Sequence, residues 1–150
     1  LTLRRGKGAS IEIGERPGEQ TIKDVFVSDV KLEGCMYGVR IKTWQNSEAL
    51  ISNVTFQNFL LEGVYHAMAI DQTYCPSSQK VEGCNDTKGQ FARVESLRVL
   101  DFSGEFAAKK DAGLKCQGCD GLQRVRVNLK RNEKRTMSTL GAKAKTKGGG

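Results

Sequence analysis

Two basic residues, Arg40 and Lys42, have the spacing to act together on an anionic group. They alternate with Val39 and Ile41 in the stretch 38–44, which reads GVRIKTW. Successive side chains on a β-strand point to opposite faces, so the apolar pair predicts a buried face and the basic pair an outer face. A guanidinium and an ammonium two residues apart can bind a carboxylate or a phosphate. The alternative is a solvated strand face that carries two basic residues.

A repeat of apolar positions predicts the elements that hold this stretch. One pattern places apolar residues at its first, fourth and sixth positions, and it begins at Ile22, Ile51, Val94 and Leu122. A second pattern begins 17 or 18 residues after the first, at Val39, Met68 and Ala112. Glycines recur between the two patterns, at Gly34, Gly63 and Gly104.

Short repeats of this kind cannot bury their own apolar faces, but coils stacked on one another can. The repeat therefore predicts an all-β chain folded as a partial right-handed parallel β-helix, a solenoid, with about 28 residues per coil. An antiparallel sandwich also has closely spaced strands, but it does not predict two patterns that keep a fixed offset.

The same stacking predicts the neighbours of the basic pair. If Ile41, Ile70 and Leu114 form one internal ladder, the residues that follow them, Lys42, Asp71 and Lys115, stack on the outside. Asp71 would then lie between two lysines, which would keep its pKa low and make it a poor general acid. We interpret Asp71 as structural support for the lysines.

The GVRIKTW stretch, followed some thirty residues later by IDQTYC at 70–75, resembles the polygalacturonases, the pectin-cleaving members of glycoside hydrolase family 28. The resemblance covers roughly residues 6–130. It implies the same β-helix and a secreted, monomeric glycosidase of the cell wall, which hydrolyses α-1,4 bonds of pectin or a related acidic polysaccharide with inversion. It implies no cofactor and no metal. By the same resemblance, Arg40 and Lys42 would hold the substrate carboxylate next to the scissile bond and Tyr74 would line that subsite. The alternative for Tyr74 is an aromatic ring that packs on a neighbouring loop.

The catalytic carboxylates of the family have no match in this sequence. Inversion needs two carboxyl functions roughly 6.5–9.5 Å apart, and the family carries its aspartates in an Asn-Thr-Asp motif and an Asp-Asp pair. Neither motif occurs here. We expect them upstream of Leu1, with this chain as a C-terminal fragment that has no catalytic residue of its own. The alternative is a non-catalytic β-helix that binds acidic polysaccharide.

The family histidine is also missing, which favours that alternative. A gapless match of its Gly-His-Gly-x-Ser-Ile-Gly segment to residues 8–14 puts Ala9 in the histidine position and Ile13 28 residues before Ile41. A second match, starting at Gly6, needs two inserted residues and puts Lys7 there. The only histidine, His66, lies elsewhere, and we interpret it as a rim or core residue.

The distribution of charge and of apolar residues limits which other functional classes the chain could belong to. The net charge of +7 is concentrated at the two ends, so it is weak evidence for a nucleic-acid partner, and we expect none. A basic protein that binds nucleic acid through these ends is a third alternative. No apolar stretch is long enough to span a membrane, and we expect no membrane partner. Residues 1–8 read as basic and irregular, residues 9–14 as a strand, 1–130 as the β-helix domain, and 131–150 as a basic disordered tail.

The five cysteines are Cys35, Cys75, Cys84, Cys116 and Cys119. Two local disulfides, Cys75–Cys84 and Cys116–Cys119, would suit an oxidising compartment. Cys35 is left as a buried thiol or as the partner of something upstream. A zinc site built from the four paired cysteines is the alternative, but their spacing is poor for zinc.

Overall fold

The computed structural model describes residues 1–14, 18–75, 90–108 and 116–134. Every regular element in these ranges is a β-strand. The strands are β1 (Thr2–Arg4), β2 (Ala9–Ile13), β3 (Gln20–Glu33), β4 (Tyr37–Trp44), β5 (Ala49–Val64), β6 (His66–Tyr74), β7 (Arg93–Phe106), β8 (Cys119–Asp120) and β9 (Gln123–Arg131).

The strands form two sheets in which every pairing is parallel. One sheet has the order β1-β3-β5-β7, and both β8 and β9 pair with β7. The other has the order β2-β4-β6. The chain alternates between the sheets as it climbs, which makes a β-solenoid of about four turns and confirms the predicted parallel β-helix. No helix in the described part of the chain is long and apolar enough to cross a membrane.

The predicted repeat sets the register between most coils. Ile22 lies opposite Ile51, which lies opposite Val94, and the pattern beginning at Val39 lies opposite the one beginning at Met68. The third member of the second pattern, at 112–115, falls outside the described residues. Identical positions therefore stack as internal ladders, and the core is filled by such residues as Phe56, Phe59 and Phe102.

The bends at the ends of β3 and β5 are stacked. Gly34 and Gly63 each have a φ near +60° and follow the paired residues Glu33 and Glu62, whereas Gly104 has a φ of 108° and lies opposite Leu61. Within the long strands, two further sets of residues with positive φ stack from one coil to the next. Side-chain hydrogen bonds link the members of each set across the coils. Asn53 Nδ2 donates to Asp24 Oδ1 at 2.7 Å, and Asn58 Nδ2 donates to Asp29 Oδ1 at 2.5 Å. Asn and Asp tolerate this backbone region better than most side chains.

The prediction that residues 1–8 are irregular is wrong for residues 2–4, whereas residues 5–8 lie outside any strand. Residues 2–4 form β1, which pairs with residues 31–33 of β3. Leu3 provides the physical reason, because its side chain packs against the hydrophobic core while its neighbours face solvent.

The predicted register of the last coil is also wrong. Val125 lies opposite Leu100 and Val127 opposite Phe102, three residues away from the predicted partners. The coil is shorter than expected because β8 joins the sheet at Cys119, opposite Val94, immediately after the disulfide turn. β9 ends at Arg131, close to the predicted domain boundary, and residues 135–150 lie outside the described ranges.

The cysteines divide into bonded and free groups. Cys116 and Cys119 form the predicted disulfide, with their Cα atoms 5.6 Å apart, and this rules out their use as zinc ligands. Cys75 is disulfide-bonded as well, and its predicted partner Cys84 lies outside the described residues. Cys35 is a buried free thiol, with its Sγ 3.5 Å from the carbonyl oxygen of Leu3.

Candidate functional site

The site is built on β4, the central strand of the three-stranded sheet. Val39 and Ile41 are buried in the core, as the alternation predicted. Arg40 and Lys42 lie on the outer face, where their side chains are only 11% and 15% exposed. Flanking strands and aromatic rings cover the two stems, so the cations are held in place with little rotamer freedom left to lose on binding.

Two carboxylates from the neighbouring coils flank the cations. Glu12 on β2 and Asp71 on β6 both lie opposite Lys42 in the strand register. Asp71 therefore has the predicted register with Lys42, whereas Lys115, its other predicted neighbour, falls outside the described residues. Asp71 forms an ion pair with Arg40, since its Oδ2 lies 3.9 Å from a guanidinium nitrogen.

Glu12 was not identified as a site residue from the sequence. Its Oε1 lies 3.8 Å from Arg40 Nη1 and its Oε2 lies 3.7 Å from Lys42 Nζ. Partial burial alone would raise the pKa of Glu12, but a hydrogen bond from Ser10 and the charges of Lys42, Arg40 and Lys7 outweigh it and hold the pKa below its usual value. Glu12 is therefore an ionised partner of the cations and a poor general acid.

An aromatic ring accompanies each cation. The Lys42 ammonium lies 3.5 Å from the centroid of the Tyr74 ring, and the Arg40 guanidinium lies 4.7 Å from the centroid of Tyr37. Trp44 meets Tyr74 edge-on, with their centroids 6.0 Å apart. Cations over aromatic faces are attracted by the ring quadrupole. The structure thus brings together Arg40, Lys42 and Tyr74, and it adds Tyr37, which sequence reasoning missed although it begins the same strand.

His66 lies at the start of β6 and is partly buried. Its ring stacks on Tyr37, with centroids 5.2 Å apart, and meets Tyr65 edge-on at 4.6 Å. These contacts are those of a rim residue in an aromatic cluster, as the sequence suggested.

The comparison with protein families decides the assignment. The sequence model described as "Glycosyl hydrolases family 28" matches residues 1–146, which is nearly the whole chain. The chain belongs to glycosyl hydrolase family 28.

Several curated relatives of this family 28 chain are named polygalacturonases. It is 32% identical over 133 residues to "Polygalacturonase" of Malus domestica, which covers 86% of this chain and 28% of that protein. It is 33% identical over 135 residues to "Polygalacturonase-2" of Solanum lycopersicum, with the same two coverages. The chain thus spans well under half of the length of these relatives.

A solved structure supports the same fold. The crystal structure of an endo-xylogalacturonan hydrolase from Aspergillus tubingensis superposes with a TM-score of 0.64. The match covers 87% of this family 28 chain and 38% of that protein, at 20% identity. At this identity the likeness bears on the fold alone.

The register of β2 bears on the family histidine segment. The prediction that Ile13 stacks on Ile41 is wrong, because Ile11 lies opposite Ile41. The reason is that this coil holds more residues than the 28 assumed. Stacking the two isoleucines favours the match that begins at Gly6, which puts Lys7 in the histidine position. In that match Glu12 and Ile13 stand between Ile11 and Gly14 as the two inserted residues.

Proposed function

We propose that this family 28 protein hydrolyses α-1,4-glycosidic bonds of polygalacturonate or pectin with inversion, and that Arg40, Lys42 and Tyr74 bind the substrate. The observation that carries the proposal is the pair of fixed cations on one outer face, each beside an aromatic ring. Polygalacturonate carries a carboxylate on every sugar, so it needs cations for its charges and ring faces for its sugars. The names of the curated relatives support the same substrate class.

The chemistry divides between binding and bond cleavage. Arg40 offers a planar fork of donors that can take a carboxylate through two hydrogen bonds, and Lys42 adds a compact charge beside it. The Tyr74 ring lies beside this charge, with the Lys42 ammonium over its face. Inverting hydrolysis also needs two carboxyl groups on opposite sides of the bond. We assign them to aspartates of the full-length protein upstream of Leu1, and none to this chain.

The setting follows from the substrate. We propose a secreted, monomeric protein that acts in the cell wall on acidic polysaccharide, and that needs neither a cofactor nor a nucleic-acid or membrane partner. The disulfide between Cys116 and Cys119 supports an oxidising compartment.

A second candidate is a non-catalytic β-helix that binds acidic polysaccharide. It is favoured by the register of β2, which supports Lys7 in the position of the family histidine. The same cations would serve this function, since binding a carboxylate does not require bond cleavage.

Reducing-end release from polygalacturonic acid by the full-length protein separates the two candidates. We expect activity in the parent and a loss of about 10- to 100-fold in kcat/KM for Lys42→Ala, since a hydrogen bond to a charged group contributes about 1.5–3 kcal/mol. Lys31→Ala is the matched control, because Lys31 is an ion-paired lysine on the other sheet, 3.0 Å from Glu33 and Glu62. It should leave the activity unchanged.

Two outcomes would contradict the proposal. Activity that is equally high in Lys42→Ala would remove Lys42 from the substrate site. An inactive parent that binds polygalacturonate in a Lys42-dependent way would instead establish the binding function.

A further inference from the structure

We propose that Glu12 is a specificity-determining residue, whose carboxylate competes with the substrate carboxylate for Arg40 and Lys42. The inference rests on the proposed function, since it requires those cations to be the substrate site. Its consequence is a weaker preference for fully ionised polygalacturonate, relative to methyl-esterified pectin, than the two cations alone would give.

Glu12 already makes the contact that a substrate carboxylate would make. One of its oxygens faces Arg40 at 3.8 Å and the other faces Lys42 at 3.7 Å, so it bridges both cations. Charge-assisted hydrogen bonds are shorter, at about 2.7–2.9 Å. The carboxylate thus lowers the positive potential of the pair without closing tight hydrogen bonds to it.

A hydrogen bond from a neighbouring side chain holds the Glu12 carboxylate beside the two cations. Ser10 lies two residues earlier on the same face of β2, and its Oγ donates to Glu12 Oε1 at 3.0 Å. The Glu12 side chain is 39% exposed, so it can move toward solvent when another anion arrives. Asp71 adds a second carboxylate on the opposite side of Arg40, at 3.9 Å.

The electrostatic effect falls on anionic ligands only. A galacturonate carboxylate at the pair would lie within a few ångströms of the Glu12 carboxylate, and like charges at that distance repel. A methyl-esterified sugar carries no charge and escapes the repulsion. Glu12 therefore sets the ratio between the affinities for the acid and the ester, which is what specificity means thermodynamically.

The carboxylate is a property of this chain rather than of the family segment. In the family segment a glycine directly follows the isoleucine, whereas in this chain Glu12 follows Ile11 and the glycine, Gly14, comes two residues later. A glycine there would leave the cation pair without this competitor.

A binding titration of the full-length protein tests the inference. The probes are galacturonate, which has no glycosidic bond to be cut, and its methyl ester, followed by NMR. Glu12→Gln keeps the shape of the side chain and removes its charge. We expect it to tighten galacturonate binding about fivefold, the effect of an exposed ion pair worth about 1 kcal/mol, and to leave the ester unchanged.

Two further variants complete the experiment. Glu95→Gln is the matched control, because Glu95 is 40% exposed and pairs with Arg93 at 3.1 Å on the other sheet. It should change neither affinity. Glu12→Gly removes the charge by a second route, and the same tightening is expected from it if Glu12→Gln folds poorly.

The failures can be told apart with Lys42→Ala. Galacturonate binding that requires Lys42 but is unchanged or weakened by both Glu12 variants would overturn the role of Glu12 alone. Galacturonate binding that is absent throughout, or indifferent to Lys42→Ala, would overturn the proposed site and this inference with it.

Discussion

Phe102→Ala is expected to lower the free energy of unfolding of the full-length protein by about 4 kcal/mol. Phe102 has no exposed surface, and its ring stacks on Phe59 of the preceding coil with centroids 4.6 Å apart. Phe59 in turn meets Phe56 edge-on at 6.0 Å. Because each coil of a solenoid contacts only its neighbours, few side chains are available to fill the space that Phe102 would leave.

Urea denaturation of the purified protein measures the effect. Phe26→Ala is the control, because Phe26 lies on β3 in the same sheet but is 65% exposed. We expect Phe26→Ala to cost less than about 0.5 kcal/mol, as most surface substitutions do. Equal losses for the two variants would show that the aromatic stack does not stabilise the coils.

Gly8→Ala is expected to disrupt the attachment of β2 to β4 and with it the arrangement around the cations. A Cβ at Gly8 would lie 1.8 Å from the carbonyl oxygen of Tyr37, and the residue has a φ of 93°. The Cβ is attached rigidly to the main chain and the oxygen of Tyr37 belongs to the backbone, so neither can rotate away and one strand must shift. We expect a loss of about 3 kcal/mol in unfolding free energy, together with weakened galacturonate binding.

Gly18→Ala separates the clash from the backbone conformation. Gly18 has nearly the same φ, 90°, but nothing lies within 4 Å of a Cβ there. We expect it to cost only about 1–2 kcal/mol, the strain of a side chain at positive φ, and to leave binding intact. A Gly8→Ala protein as stable as Gly18→Ala, with normal galacturonate affinity, would refute this account of β2.

The fold could be predicted because the chain repeats its apolar pattern, and the errors arose where the coil length changes. Ile22 and Ile51 share a ladder as expected, since the coil between them is close to the assumed length. The first strand of the small sheet and the last coil departed from that length, so Ile13 and Val125 were given the wrong partners. A turn can lose or gain residues without changing the apolar pattern of the strands on either side. The pattern therefore does not reveal how many residues each turn holds.

The part of the site that lies on β4 and β6 could be predicted from the sequence. Alternation alone placed Arg40 and Lys42 together, and the resemblance added Tyr74. Glu12 could not be found without the register of β2, because a shift of two residues decides whether it faces Lys42. The sets of Asn and Asp residues with positive φ were also missed, since their residue types vary from coil to coil.

The last strand also bears on how copies of this protein meet. Among the described residues, β9 pairs with β7 alone, so its other side presents free backbone groups. An open strand edge can template edge-to-edge aggregation with a second molecule. β9 carries four basic residues, Arg124, Arg126, Lys130 and Arg131. Two β9 edges brought together would place like charges side by side, so the cations of β9 oppose the pairing of two copies through this strand.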